Sequence, residues 1–131
     1  MISHVFIGTD DLDAALAFYG PVMETLGNPL KFVDRDRGWA VWTAPGGGRP
    51  FILVGRPFDG EAAPGNGHMT ALLAPARAAV DAAYALALAN GGTDEGPPGL
   101  RPQYHANYYG AYVRDPAGAK LCFCCHEAEP R

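Results

Sequence analysis

Hydrophobic and polar positions along this chain change period from about two to about three and a half and back, and they do so twice. "SHVFIG" (3–8) is a short apolar run rich in β-formers and predicts a strand. "TDDLDAALAFY" then opens a helix, with Leu12, Leu16, Tyr19, Met23 and Leu26 recurring at helical spacing. Thr9 or Asp10 is placed to cap its free N–H groups, and Asp10, Asp11 and Asp13 suit the positive end of its dipole. Gly20-Pro21 predicts a kink, because Pro21 has no N–H to donate, and Gly27-Asn28 predicts the stop. Three strands follow, "LKFVD", "GWAVWTA" and "PFILVG", the last two joined by the turn "PGGG" (45–48). A polar, glycine-rich linker comes next, "RPFDGEAAPGNG" (56–67).

The cycle then repeats. "HMTALLA" predicts a strand and "PARAAVDAAYALALANGG" a helix, with Pro75 at its first position and Gly91-Gly92 as its stop. The long loop "TDEGPPGLRPQYHAN" has room for a short strand near Gln103–His105. "YYGAYVRD" and "KLCFCCH" are two strands joined by "PAGA". Residues 4–19 lie over 69–84, and 43–55 over 114–126. The spacing between equivalent positions grows from 65 to 71, and the extra residues fall in the loop after the second helix, where insertion costs little. The repeat rests on element order and punctuation rather than on identities. It predicts an α+β fold of two β-α-β-β-β modules: residues 1–55, the linker 56–67, and residues 68–131. One such module cannot cover its own sheet; two can curl together as a mixed sheet around a cavity.

Composition narrows the partners. The chain has 131 residues, 48% hydrophobic and 18% charged, with a formal net charge of −4, so it is globular and lacks the basic face that nucleic acid requires. No apolar run approaches the roughly 20 residues of a membrane span, and "MISHVFIG" lacks a secretion signal, so the expected location is the cytoplasm. Three cysteines, an odd number, predict reduced thiols rather than a disulfide framework. All three lie in "KLCFCCH". Alternation puts Cys122 and Cys124 on one face and Leu121, Phe123 and Cys125 on the other. Cys124 and Cys125 read as packing residues, since buried free cysteine behaves as a small hydrophobe.

With "HVFIGTDDLDAALAFY", "PGNGHMTALLAP", "RAAVDAAYALALANGG", "PGLRPQYHANYYGAYVRDPAG" and the closing "KLCFCCH" in view, the chain resembles the vicinal oxygen chelate superfamily, the glyoxalase I, bleomycin-resistance and extradiol dioxygenase group. The resemblance covers nearly the whole chain. It implies paired βαβββ modules, a funnel-shaped cavity often holding a divalent metal, and a homodimer. It implies ligand positions on the first strand, the strand opening the second module and the last strand, usually His, His and Glu. These positions carry His4, Met69 and Cys122. His68 is one residue from the second position and would need a bulge at Asn66-Gly67 to turn inward. The oxygen-ligand ions Mg²⁺ and Mn²⁺ and the two-His, one-carboxylate chemistry of extradiol cleavage find no match here. A His/His/Cys set would suit Zn²⁺, and an empty or weak site is the favoured expectation.

Other residues suit a pocket. Arg101, Tyr104, His105, Tyr108 and Tyr109 sit on one loop, which reads equally as a substrate lid and as a turn-rich loop anchored by its tyrosines. Trp39 and Phe51 lie on strands of the first module, and Phe51 is the repeat equivalent of Cys122. Cys122, as a thiol, and His105, as a general base, are the candidate catalytic groups. Three functions stand: a protein that binds a small metabolite in the inter-module cavity with its metal site altered, a metal-dependent lyase, isomerase or transferase with soft ligands, and a metal-free enzyme in which Cys122 or His105 does the chemistry.

Overall fold

The computed structural model of the chain describes residues 1–129; residues 130 and 131, the end of the second module as the sequence defines it, lie outside. Ten elements run β1 (His4–Gly8), α1 (Leu12–Leu26), β2 (Leu30–Asp34), β3 (Trp39–Trp42), β4 (Phe51–Gly55), β5 (Thr70–Leu73), α2 (Arg77–Ala89), β6 (Thr93–Leu100), β7 (Tyr109–Arg114) and β8 (Lys120–Cys125). They form two four-stranded sheets of identical plan, β1-β4-β3-β2 and β5-β8-β7-β6. In each, the first strand runs parallel to the last and the other pairs are antiparallel. The α+β fold of repeated βαβββ units is therefore the one the periodicity predicted. The two sheets stay separate, however: β1 and β5 are both edge strands and do not pair with each other.

Local chemistry explains the element ends. Asp11, one residue beyond the expected caps, accepts from the Ala14 N–H at 3.0 Å and starts α1. Thr9 instead ties the approach, its Oγ1 accepting from the Asp11 N–H. Gly27 takes the left-handed conformation (φ 84°) and ends the helix, with Asn28 N–H closing onto the Met23 carbonyl. Pro21 lies inside α1, which runs through it as one element. α2 starts at Arg77, two residues after Pro75, with Ala76 in the cap position and no side chain to cap it. The clearest departure from expectation is β6. "TDEGPPGL" forms a strand, and the segment around Gln103–His105 does not. Its prolines are tolerated because β6 is an outer strand, and its pairing with β7 shifts register twice.

Both helices lie in one core. They pack against each other, and one cluster takes Ile7, Ala40, Trp42, Ile52 and Val54 from the first sheet and Leu72, Ala111, Val113, Leu121, Phe123 and Cys125 from the second. Phe18, Tyr19, Val22 and Met23 of α1 are fully buried between them. The modules are also pinned by a polar contact, in which the Tyr19 hydroxyl donates to Asp115 Oδ2 at 2.6 Å. This arrangement fixes the faces. Each core residue on a strand sends its neighbours to the opposite side. His4, Phe6, Trp39, Phe51 and Leu53 thus occupy the outer face of the first sheet. Met69, Ala71, Leu73, Tyr112, Cys122 and Cys124 occupy that of the second.

Candidate functional site

On the first sheet, β1 pairs His4 with Phe51 of β4. The imidazole is exposed, and its Nδ1 lies 2.9 Å from Ser3 Oγ. The Arg49 guanidinium sits 4.1 Å over the Phe51 ring, with the Lys31 ammonium 5.4 Å from it. Further along the same face, Trp39, Phe6 and Phe58 pack with centroids 5.5 to 6.3 Å apart. Trp39 Nε1–H donates to the Arg56 carbonyl, and Arg37 stacks over its ring. A shallow groove passes there between Arg37, Arg56 and Phe58.

On the second sheet, Cys122 is fully buried beside Tyr112 on β7 and Ala71 on β5. The repeat set Met69 opposite His4; here Met69 lies two residues before Ala71, on the same face but one step along. Cys122 is covered by Tyr108, whose hydroxyl lies 3.0 Å from the Tyr112 hydroxyl and 3.6 Å from Cys122 Sγ. Tyr104 packs on Tyr108, with centroids 4.9 Å apart. His105 Nε2 lies 2.7 Å from His126 Nδ1, and His126 Nε2 lies 3.6 Å from Cys124 Sγ. The Asn107 N–H donates to His105 Nδ1, so the neutral ring of His105 carries its proton on Nε2 and donates to His126. Arg101 donates to the Pro97 carbonyl and lies 5.7 Å from the Tyr112 ring. Tyr109 turns the other way, toward α2, where its hydroxyl donates to Asp81 at 2.6 Å and Arg77 lies over its ring. It does not join this group.

The electrostatics describe a neutral, closed surface. Burial pushes the Cys122 thiol above its ordinary range, only partly offset by the Tyr108 hydrogen bond. Burial likewise raises Cys124. Burial, then the bonds to Tyr112 and Cys122, raise Tyr108. A thiol held protonated is neither a ready nucleophile nor a ready metal ligand.

Between the modules lies a cavity of about 430 Å³, lined by Ile2, Val5 and Ile52 on one side and His68, Met69 and Leu73 on the other. His68 is exposed, its Nε2 3.5 Å from the Thr70 hydroxyl. His4 and Cys122 line none of this cavity. Among the described residues, no three His, Cys, Asp or Glu side chains group as an ion would need. The donor set His4, His68, Met69 and Cys122 therefore does not converge within the chain, and no metal-dependent step is derived from it.

Tyr112, Cys124 and His126 belong to the hydrogen-bonded group and were not among the sequence candidates. The signal was present: 122, 124 and 126 alternate onto one side, but a strand-end histidine and a buried cysteine carry no mark of partnership.

Two β-α-β-β-β units sharing a helical core define the glyoxalase-like class. The chain belongs to the Glyoxalase/Bleomycin resistance protein/Dioxygenase superfamily, whose sequence model matches residues 1–123. It is similar to a glyoxalase/bleomycin resistance protein of Albidiferax ferrireducens T118, at 33% identity and a TM-score of 0.85, covering 95% of this chain and 98% of that one. The fold is also shared with a lactoylglutathione lyase of Agrobacterium tumefaciens (23% identity, TM-score 0.63, covering 95% and 92%). TioX of Micromonospora sp. ML1 shares it too (20%, 0.63, covering 97% and 99%). No curated protein matches the chain. Among the described residues, no helix is long and apolar enough to cross a membrane.

Proposed function

We propose that this protein binds a small, largely apolar metabolite between its modules, acts as a homodimer in the cytoplasm, and does so with the family's metal site altered. The observation that carries the reading is the inter-module cavity. Its volume falls in the range of small-molecule sites, its walls are mostly apolar, and Asn28, Thr43, His68 and Thr70 supply a few orienting polar groups. The dimer is supported by the edges of β1 and β5. Both are unpaired, and Ile2, Met69 and Leu73 expose apolar surface beside them. An uncovered edge with an apolar flank is a surface that proteins cover. A second copy laid along these edges would bring the outer face of one first module toward that of a second module, which is where His4 and Cys122 would meet. The metal-poor reading is supported by the ligand positions themselves, which hold one imidazole, one thioether and one protonated thiol.

The test is metal analysis of protein purified without chelator, together with mass spectrometry of any retained small molecule. Substoichiometric metal and a ligand displaced by Met69→Trp, a partly exposed side chain of the cavity wall, are expected. Near-stoichiometric zinc that is lost in both His4→Ala and Cys122→Ala would overturn the reading in favour of a metal-dependent lyase or isomerase.

A further inference from the structure

Gly20 and Pro21 interrupt α1 in sequence but not in structure, where the helix runs through them as one element. A glycine inside a helix is destabilising relative to alanine. Packing does not require it here, because a Cβ at Gly20 would meet nothing within 4 Å. Gly20 and Pro21 instead line a groove of about 670 Å³ between α1 and the outer strand β2, together with Leu16, Leu30, Trp42 and Glu24. Leu30 is 51% exposed, where the pairing of β2 with β3 shifts register. The groove lies on the helix side of the first sheet: Trp42 belongs to the core, whereas His4 and Phe51 occupy the opposite face. Asn28 is the residue whose position it shares with the inter-module cavity, and the Asn28 amide is held there, donating to Met23 Sδ at 3.5 Å.

The charge in this groove has one sign. Glu24 is the charged residue of its lining, and among the described residues its carboxylate enters no ion pair. α1 ends beside it, at Gly27, with no basic residue in the last turn. A helix C-terminus carries a partial negative charge, so both features favour a cation. We propose that the α1–β2 groove is a second small-molecule site, for an apolar organic ammonium ion. Its hydrocarbon body lies against Leu16, Pro21, Leu30 and Trp42, and its charged end meets Glu24. Gly20 keeps the groove open, since any larger residue there would project into it. The inference goes beyond the binding of a metabolite between the modules and does not depend on it.

The probe is phenylbutylamine, with phenylbutanol and phenylbutanoate as its neutral and anionic counterparts. Each is titrated into the full chain and followed by backbone amide chemical shifts. The amine should shift the amides of Gly20, Gly27 and Asn28 and bind roughly two- to fivefold tighter than the alcohol, the range of an exposed ion pair. The carboxylate should bind most weakly. Glu24→Gln should bring the amine to the affinity of the alcohol and leave the alcohol unchanged. Gly20→Leu should abolish binding of all three probes, and it keeps the fold, because leucine is the better helix former and its Cβ enters open space. Met69→Trp, in the inter-module cavity, should bind the amine as the wild type does, which separates this site from that one. The proposal is overturned if amine and alcohol bind equally, if Gly20→Leu binds the amine as the wild type does, or if millimolar amine shifts none of the three amides. Loss of amine binding in Met69→Trp, with shifts at Thr70 instead, would place the probe between the modules and overturn it too. So would a Gly20→Leu protein of lower mass by light scattering, since the groove would then be covered by a second copy of the chain.

Discussion

Tyr19→Phe tests what holds the two modules in their relative position. The Tyr19 hydroxyl, on α1, donates at 2.6 Å to Asp115 Oδ2, across 96 residues of chain. The other carboxylate oxygen accepts the Ala117 and Ala119 N–H groups at 2.9 Å each and so shapes the β7–β8 turn. Both residues are buried. Burial, then the negative charge of Asp115, raises the Tyr19 phenol well above its ordinary value, so it stays a donor. Phenylalanine keeps the ring, which packs on Phe18 and Trp42, and removes only the hydroxyl. The carboxylate oxygen is then left in the interior with no donor. A hydrogen bond to a charged group contributes about 1.5–3 kcal/mol, so the variant should lose about that much.

For a chain of this length the loss corresponds to a fall in Tm of roughly 5–15 °C. The assay is thermal unfolding at fixed protein concentration, since an associating protein has a concentration-dependent Tm. Asp115→Asn supplies the second edge of a double-mutant cycle. Its amide keeps one oxygen for the two backbone N–H groups and turns a neutral N–H toward the phenol. The coupling energy between Tyr19 and Asp115 should be about 1–2 kcal/mol. A Tyr19→Phe protein that melts within about 2 °C of wild type, or a coupling near zero, would refute the claim that this contact joins the modules.

Gly55→Ala should cost about 1–3 kcal/mol or more by urea denaturation, because a methyl there would meet Trp39 Cδ1 and come within 2.6 Å of the Gly38 carbonyl, neither of which can move without unpairing β3 from β4. Stability should fall in alkali. Burial raises Cys122, and the bond to Asp81 pushes Tyr109 up to about 12. The folded chain therefore holds protons that the unfolded chain releases, and the contribution is complete below about pH 9 and lost as pH rises through 12. Urea midpoints measured at stepped pH check this, and a midpoint that holds steady from pH 8 to about 11 would contradict it. For the proposed homodimer, Leu73→Lys, at a side chain 70% exposed on the edge strand β5, should halve the mass seen by light scattering, and an unchanged mass would move the proposed interface elsewhere.

What was legible in the sequence, and what was not, divides along physical lines. Element types followed from hydrophobic period, and the repeat fixed their order, because both are set by the core that Ile7, Val54, Leu121 and Phe123 fill. β6 was missed because "TDEGPPGL" has neither the apolar alternation nor the β-branched residues of a strand. It is held by its pairing with β7, a long-range property that no local window contains. Facing was legible where alternation alone decides it: Cys122 does lie opposite Leu121 and Phe123, and Tyr109 opposite Tyr112. Convergence was not. Whether two outward faces meet depends on how the modules pack, and here the shared helical core turns both sheets away from each other.

That packing choice has a consequence for the family's chemistry in this chain. A chamber assembled from His4 of one module and Cys122 of another requires that the outer faces be brought together from outside the single chain, and it requires that Tyr108 leave the thiol it covers. The two requirements are independent, one set by edges β1 and β5 and the other by the Tyr108 hydrogen bonds to Tyr112 and Cys122. Tyr108→Phe, which removes those bonds and leaves both edges untouched, would separate them. The thiol of Cys122 loses its protonated, buried character only if water or a ligand replaces the Tyr108 ring. The protonation of the thiol at position 122 therefore depends on the Tyr108 cover as well as on the strand that carries it.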